Sequence, residues 1–167
     1  MGGGSLRRRE EFTVIGLLAI LLGSTCLLGW MAARYLYVHE AIFNLAITVS
    51  EVVVEELTTE NATVLVVLNM SNPSRINLTI RGLEFGLRLN HHYVGGFSHY
   101  GFKVVPSGGH LLIQSRVHIS KYYVVHLLQA AEDGCWNWTI YGGVHLRTPL
   151  KDVTIMFTRE YVAQGSG

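Results

Sequence analysis

The chain has 167 residues, 49% of them hydrophobic, and its 13 Lys/Arg against 12 Asp/Glu give a formal net charge of +1 at pH 7. A chain this close to neutral, with no basic stripe, is not expected to bind nucleic acid. Only two cysteines are present, one in an apolar run and one far downstream, so an internal disulfide framework is also excluded.

The first element in chain order is an uncharged, largely apolar run from Phe12 to Ala33, close behind three consecutive arginines. As a helix it would span about 33 Å, enough for a bilayer core of about 30 Å. We expect residues 12–37 to be a retained transmembrane anchor. A cleaved signal peptide is the alternative, but the run exceeds an h-region of about 7–15 residues and has no small-x-small cleavage site. A pilin-type signal is disfavoured because no glycine follows the basic cluster.

The basic residues indicate how this anchor is oriented. Three arginines precede the run and only Arg34 follows it closely, so residues 1–11 are expected in the cytoplasm and the rest outside the cell membrane. Trp30, Tyr35 and Tyr37 lie at the outer end, where an aromatic belt is expected.

Four N-x-S/T sequons agree with an exported domain, because sequons are used only on the translocated side of a membrane. The alternative is that Asn, Ser and Thr are simply common in β-hairpins. The candidate glycosylation sites are Asn61, Asn69, Asn77 and Asn137.

Small residues line one face of the predicted anchor at spacings of three and four. They are Gly16, Ala19, Gly23 and Cys26. Such a face lets membrane helices approach closely, which predicts a homo-oligomer or docking on a partner membrane protein. The alternative is that small residues are merely frequent in membrane helices.

Residues 38–163 have the alternation of a β domain almost throughout. Phe43 to Val49 alternates as an amphipathic strand. Ala62–Leu68 is almost continuously apolar, which predicts a central strand, and the Asn72-Pro73 step ends it.

The next strand changes phase at a glycine. Ile76, Leu78 and Ile80 form one apolar set, and after Gly82 the set shifts by one residue. This predicts a β-bulge that lets one long strand serve first one sheet and then the other.

Three further alternating segments complete the predicted strands, at 111–119, 136–140 and 153–157. Between the first two, Ser120 is expected to cap a helix over Lys121–Glu132 that stops at Gly134. The apolar stripe of this helix is Tyr123, Val124, Leu127, Leu128 and Ala131. The fold class is therefore all-β with one short helix, an antiparallel β-sandwich, and residues 164–167 are expected to be a flexible tail.

The order of these elements resembles the late-embryogenesis-abundant group 2 family, also described as the water-stress and hypersensitive-response (WHy) domain. The resemblance rests on the strand ending in Asn72-Pro73, the bent strand after it, Tyr93-Val94-Gly95-Gly96, and the turn at 106–109. It implies a seven-stranded sandwich of immunoglobulin/fibronectin type, often behind a single membrane helix, without catalytic residues. The family roles it implies are stress protection and membrane-linked defence.

Residues 91–102 form a segment rich in histidine, aromatic residues and glycine. It has three interpretations: a hairpin folded back on the sandwich, a recognition loop, or a metal site at His91, His92 and His99. Adjacent histidines on a strand point to opposite faces, which disfavours the metal. The candidate recognition residues are His91, His92, Tyr93, Phe97, His99, Tyr100 and Phe102.

No catalytic or cofactor motif is present in the sequence, so we expect no enzyme and no cofactor. Glu51, Glu55 and Glu56 read as a solvated strand edge. Cys135 is expected to be a buried free thiol or a link to a second chain. Two functions remain: an outward-facing module that protects against stress or binds lipid headgroups, glycans or a protein, and a structural subunit of a membrane or surface assembly.

Overall fold

The computed structural model describes residues 4–148 and 151–163, with the side chains described from Val14 onward. The chain divides into two compact units that meet between His39 and Glu40. The predicted tail at 164–167 and the first three residues of the predicted cytoplasmic segment lie outside the described residues.

A helix, α1 (Gly4–Phe43), makes up the described part of the first unit and continues into the second. From Val14 to Phe43 it is long and apolar enough to cross a membrane, with a mean hydropathy of 2.1. Length and composition alone define this candidate span, and a signal sequence near an N-terminus has the same properties.

The strand predicted to begin at Phe43 starts later. The helix runs through Phe43, whose side chain is 76% exposed, whereas Ala41 is fully buried and Leu45 nearly so. Ala41 lies on the buried side of the last helical turn, whereas Leu45, just after the helix, begins the two-residue alternation that continues at the buried Ile47. The backbone N–H of Asn44 still donates to the carbonyl of Glu40 at 3.0 Å.

The second unit holds two antiparallel sheets, one of three strands and one of four, with seven strands in the described ranges. The elements are β1 (Ala46–Leu57), β2 (Asn61–Asn72), β3 (Leu78–Leu89), β4 (His92–Val105), β5 (Gly109–Ser120), α2 (Lys121–Asp133), β6 (Asn137–Arg147) and β7 (Asp152–Val162). The sheet orders are β1-β2-β5 and β4-β3-β6-β7.

The core lies between the inner faces of these sheets. The central position predicted for Ala62–Leu68 is confirmed, because β2 pairs with β1 on one side and β5 on the other. Val64, Val66 and Leu68 are completely buried against the other sheet, where Trp138 is the largest buried side chain.

The predicted bulge at Gly82 is confirmed, but its predicted role is wrong. The register of β3 shifts between Ile80 and Gly82 against both neighbouring strands, and β3 stays within the four-stranded sheet along its whole length. Ile80 before the shift and Leu83 after it are both buried. The extra residue therefore returns the apolar set to the same core after the strand bends.

The predicted short helix is also present, as α2. Gly134 ends it with a φ of 65°, and the N–H there reaches the carbonyl of Ala130. Ser120 occupies the N-cap position without making a side-chain capping bond. The predicted stripe is wrong at Tyr123 and Ala131, which are exposed, because the helix docks through the three-residue series Val124, Leu127 and Ala130.

Candidate functional site: the outer face of the four-stranded sheet

Of the three interpretations of residues 91–102, the hairpin agrees with the structure: the segment is an edge strand paired with β3 and not a loop. A two-residue turn at Asn90 and His91, with φ of 48° and 72°, leads directly into β4. Its glycines mark close approaches: a Cβ on Gly95 would lie 3.1 Å from Val117 of the opposite sheet, and one on Gly96 would lie 3.0 Å from the Phe85 carbonyl. Glycines that suggested a loop therefore serve tight packing within a strand.

The candidate recognition residues do not converge on one site. Alternation along β4 places them on two faces of the strand, and the residues at its turn end form a third group. At the turn end, His92 stacks on His126 with ring centres 4.3 Å apart, while His91 lies in the turn. Phe97 packs on Phe85 at 5.4 Å and on His99 at 6.3 Å. The remaining three are the exposed aromatics Tyr93, Tyr100 and Phe102.

Glycines of the central strands allow large neighbouring side chains to lie over the outer face of this sheet. A Cβ on Gly82 would meet the Tyr100 ring at 2.7 Å, and a Cβ on Gly86 would meet the Tyr141 ring at the same distance. The thioether of Met156 lies over Gly143 in the same way, 3.2 Å from the position a Cβ would take. We call this surface the aromatic face; it carries Tyr100, Phe102, Tyr141, Met156, Glu84 and His145.

Tyr100 is fixed in place by two neighbours. Its ring stacks beside that of His145, with centres 5.9 Å apart and planes 19° apart. Its hydroxyl donates to Oε2 of Glu84 at 3.3 Å. Nε2 of His145 lies 3.2 Å from Oε1 of Glu84, without hydrogen-bond geometry, so this contact becomes an ion pair when the imidazole is protonated. Nδ1 of His145 is 2.8 Å from the hydroxyl of Thr154.

The arginines of the aromatic face already have partners within it. Arg88 lies over the Tyr141 ring at 4.8 Å, and Arg147 lies over the Phe102 ring at 5.8 Å. Arg81 pairs with Asp152. The face therefore carries charges of both signs: Arg88 and Arg147 lie over neutral rings, and Glu84 accepts from the neutral Tyr100 hydroxyl.

The outer face of the three-stranded sheet differs in character. Of the three glutamates predicted at a solvated edge, Glu55 forms a bidentate ion pair with Arg116 at 2.9 and 3.2 Å. The hydrogen bond and the charge of Glu55 raise the pKa of Arg116. Glu51 and Glu56 are exposed on β1, as predicted for a solvated edge strand.

A small pocket beside β4, lined by Leu83, His99, Lys103 and Ile113 among others, has a volume of about 10 Å³, room for about one water. Within the described ranges, no group of three or more His, Cys, Asp or Glu side chains is placed to hold a metal ion. The chemistry available on this surface is ring stacking and hydrogen bonding.

The remaining predicted residues lie away from this face. Asn72 is completely buried, and its amide donates to the carbonyls of Ile76, Val105 and Pro106 at 2.8 to 3.2 Å. The Asn72-Pro73 motif is therefore structural. The prediction of a buried Cys135 thiol is wrong: the residue is exposed on the short link after α2, with Sγ 3.4 Å from Nδ2 of Asn137.

The small-residue face of α1 and the sequons are placed as follows. All four small residues are exposed on the helix, and a Cβ on Gly16 or Gly23 would meet nothing within 4 Å. Asn61, Asn77 and Asn137 are exposed at the ends of strands or just before one, whereas Asn69 is half-buried within β2.

Sequence reasoning missed the residues that hold Tyr100. Glu84 and His145 lie 16 and 45 residues from Tyr100 along the chain, and only the pairing of β3 with β4 and β6 brings them together. The available signal was the set of glycines within strands, which marks positions where a neighbouring side chain crosses the backbone.

Several solved structures share this antiparallel β-sandwich fold. A protein from Arabidopsis thaliana has this fold with a TM-score of 0.60 and 12% identity, over 71% of this chain and 80% of its own. A solution structure described as a late embryogenesis abundant (LEA) protein matches at 0.52 with 13% identity, over 89% of each chain. A protein from Archaeoglobus fulgidus matches at 0.50 with 9% identity, over 74% of this chain and 98% of its own.

These likenesses establish the fold alone, because all three identities are low. No protein-family model matches the sequence, and no curated protein matches it.

Proposed function

We propose that this chain is a membrane-anchored member of the WHy type, with an immunoglobulin/fibronectin-like sandwich displayed outside the cytoplasm. In this proposal the domain is not an enzyme but a module that binds a cell-surface partner through the aromatic face. The anchor is residues 12–37, and the apolar stretch of α1 supports it.

One observation carries the binding role: the Tyr100 ring is 64% exposed although it is held in place by His145 and Glu84. Exposed aromatic side chains are usually mobile or partly covered, and a fixed one offers contact area at little entropic cost. Stress protection is the second candidate function. The likeness to the LEA-described solution structure favours it.

Outward display can be tested with the native cysteines. Cys135 is exposed in the sandwich unit, and Cys26 lies within the apolar part of α1. A membrane-impermeant maleimide should label the full chain in intact cells, and the Cys135→Ser variant should lose that label. Ser5→Cys in the Cys135→Ser background should be labelled only after permeabilisation. Labelling of Cys135 only after permeabilisation would overturn the outward orientation.

The binding role has its own test. The full chain in phosphatidylcholine nanodiscs should cosediment with washed cell envelopes, and Tyr100→Ala should reduce that fraction. Tyr122→Ala is the matched control, because Tyr122 is another exposed tyrosine, on α2 and outside the aromatic face. Equal cosedimentation of the two variants would contradict binding through this face.

A further inference from the structure

We infer that the aromatic face is a binding site for neutral saccharides, with the Tyr100 ring as its stacking platform. This inference rests on the proposed function, because it names the ligand class of the same surface. Three features of the face support it: the orientation of the ring, its rigidity, and the presence of charges of both signs rather than one.

The orientation of the Tyr100 ring depends on the absence of a side chain at Gly82. Side chains on a strand normally stand away from the sheet. The ring atoms Cδ1 and Cε1 of Tyr100 lie 2.7 and 2.9 Å from where a Cβ on Gly82 would be, so the ring leans across the backbone of β3. A ring that lies along the sheet presents its face to solvent, and the apolar C–H face of a pyranose stacks on such a surface.

The platform extends beyond one ring and is organised in advance. The His145 ring lies nearly parallel to Tyr100 and also approaches Gly82, with Cδ2 3.3 Å from the position of that Cβ. The hydroxyl of Tyr100 is bonded to Glu84, so the ring has little freedom left to lose when a ligand binds.

Polar groups suited to sugar hydroxyls surround the platform. Ser98 is paired with Glu84 across the β4–β3 ladder, and Thr154 bonds His145 on the far side. Glu84 itself is shared between the Tyr100 hydroxyl and His145. The hydroxyls of Ser98 and Thr154 can donate or accept hydrogen bonds, and the Glu84 carboxylate can accept them.

The charge balance favours an uncharged ligand over a basic protein segment. Arg147 and Arg88 of the same chain lie over the rings of Phe102 and Tyr141. A basic segment would meet these two positive charges on the same face, and an acidic one would meet Glu84. A neutral saccharide is repelled by neither.

The test uses the full chain in phosphatidylcholine nanodiscs with cello-, manno- and chito-oligosaccharides as probes, measured by saturation-transfer NMR and calorimetry. At least one probe should bind saturably. Tyr100→Ala should weaken it about tenfold, equivalent to about 1.4 kcal/mol. Gly82→Ala, which keeps the tyrosine but lifts its ring, should weaken binding similarly, whereas Tyr122→Ala should bind as the wild type does.

Two results would overturn the inference. One is that none of the three probes binds saturably; the other is that Tyr100→Ala binds like Tyr122→Ala. Thermal unfolding checks that Gly82→Ala is folded. If Gly82→Ala is not folded, the comparison of Tyr100→Ala with Tyr122→Ala alone tests the inference. If an arginine-rich peptide binds in a Tyr100-dependent way and the saccharides do not, the ligand class is wrong while the binding function stands. If envelope binding is the same with and without Tyr100, the proposed function itself is overturned.

Discussion

Arg159 donates from Nε to the backbone carbonyl of Ile47 across 2.6 Å, a contact between edge strands of the two different sheets. The same guanidinium donates from Nη1 to the carbonyl of Thr158 at 2.8 Å. One side chain therefore covers a carbonyl on β1 and another on β7. Edge strands with free carbonyls invite pairing with other chains, and a charged side chain laid over them discourages it. Arg159 therefore leaves fewer free carbonyls on the β1 and β7 edges for pairing with another chain.

Replacing Arg159 with Ala should uncover both carbonyls at once. Hydrogen bonds from charged groups contribute about 1.5–3 kcal/mol, and the contact to Ile47 is partly buried, so the free energy of unfolding should fall by about 1–3 kcal/mol. The exposed edges should also promote association. Urea unfolding followed by tryptophan fluorescence and size-exclusion chromatography with light scattering, both in mild detergent, measure the two effects.

The control for Arg159 is Arg75→Ala, since Arg75 is an exposed arginine in the connection between β2 and β3. It removes the same charge without touching either edge strand and should leave both stability and oligomeric state as they are. If Arg159→Ala behaves like Arg75→Ala, the contact to Ile47 does not close the sandwich.

Asn72 is the buried polar group on which the β2–β3 connection depends. Its amide bonds three carbonyls, and its Oδ1 accepts from the hydroxyl of Ser74 at 2.6 Å. Asn72→Ala leaves buried acceptors without a donor, so the free energy of unfolding should fall by about 2–4 kcal/mol. Asn72→Asp keeps the shape but removes the donor, and it should destabilise as well. The exposed Asn44→Ala is the control, with a change within about 0.5 kcal/mol.

A stable Asn72→Asp variant would contradict this account, because it would show that the three carbonyls need no donor. The readout is again urea unfolding, with the buried Trp138 as the reporter of the sandwich.

The local features of this fold could be predicted from the sequence, and the contacts between distant strands could not. The Asn72-Pro73 break, the bulge at Gly82 and the stop at Gly134 each depend on the backbone preferences of one or two residues. The sequence leaves β4 open between a hairpin strand and a loop, because Gly95 and Gly96 look like turn residues unless the opposing Val117 and Phe85 are known.

The candidate site also depends on contacts between distant strands, which the sequence does not predict. Tyr100 was among the predicted recognition residues, but its partners Glu84 and His145 come from two other strands. Their proximity depends on the register of β3 against β4 and β6, and on the shift at Gly82 within it. Alternation predicts which face a residue occupies on its own strand, but not which residue lies opposite it.

Ser115 should be a position where a small substitution stabilises the protein. Its side chain is 1% exposed on the core face of β5, and its hydroxyl has no hydrogen-bond partner among the described residues. Ser115→Ala removes a buried unpaired group, so the free energy of unfolding should rise by about 1 kcal/mol. The exposed Ser50→Ala should change little. A loss of stability in Ser115→Ala, measured by urea unfolding, would show that the hydroxyl has a partner in solution.

The four sequons should differ in glycan occupancy when the chain is made in a host that glycosylates its surface proteins. Asn61 and Asn77 are exposed, and their hydrogen bonds from Thr58 and Ser107 use the amide oxygen, not the nitrogen that carries a glycan. Asn69 lies within the central strand, half-buried, with its side-chain oxygen buried, so a glycan there would disrupt the sheet. We expect sugar on Asn61, Asn77 and Asn137 and none on Asn69.

Intact-mass measurement of single Asn→Gln variants tests this prediction of glycan occupancy. The variants at Asn61, Asn77 and Asn137 should lose one sugar increment each, and Asn69→Gln should lose none. A sugar increment lost in Asn69→Gln would contradict the placement of that residue in the paired interior of β2.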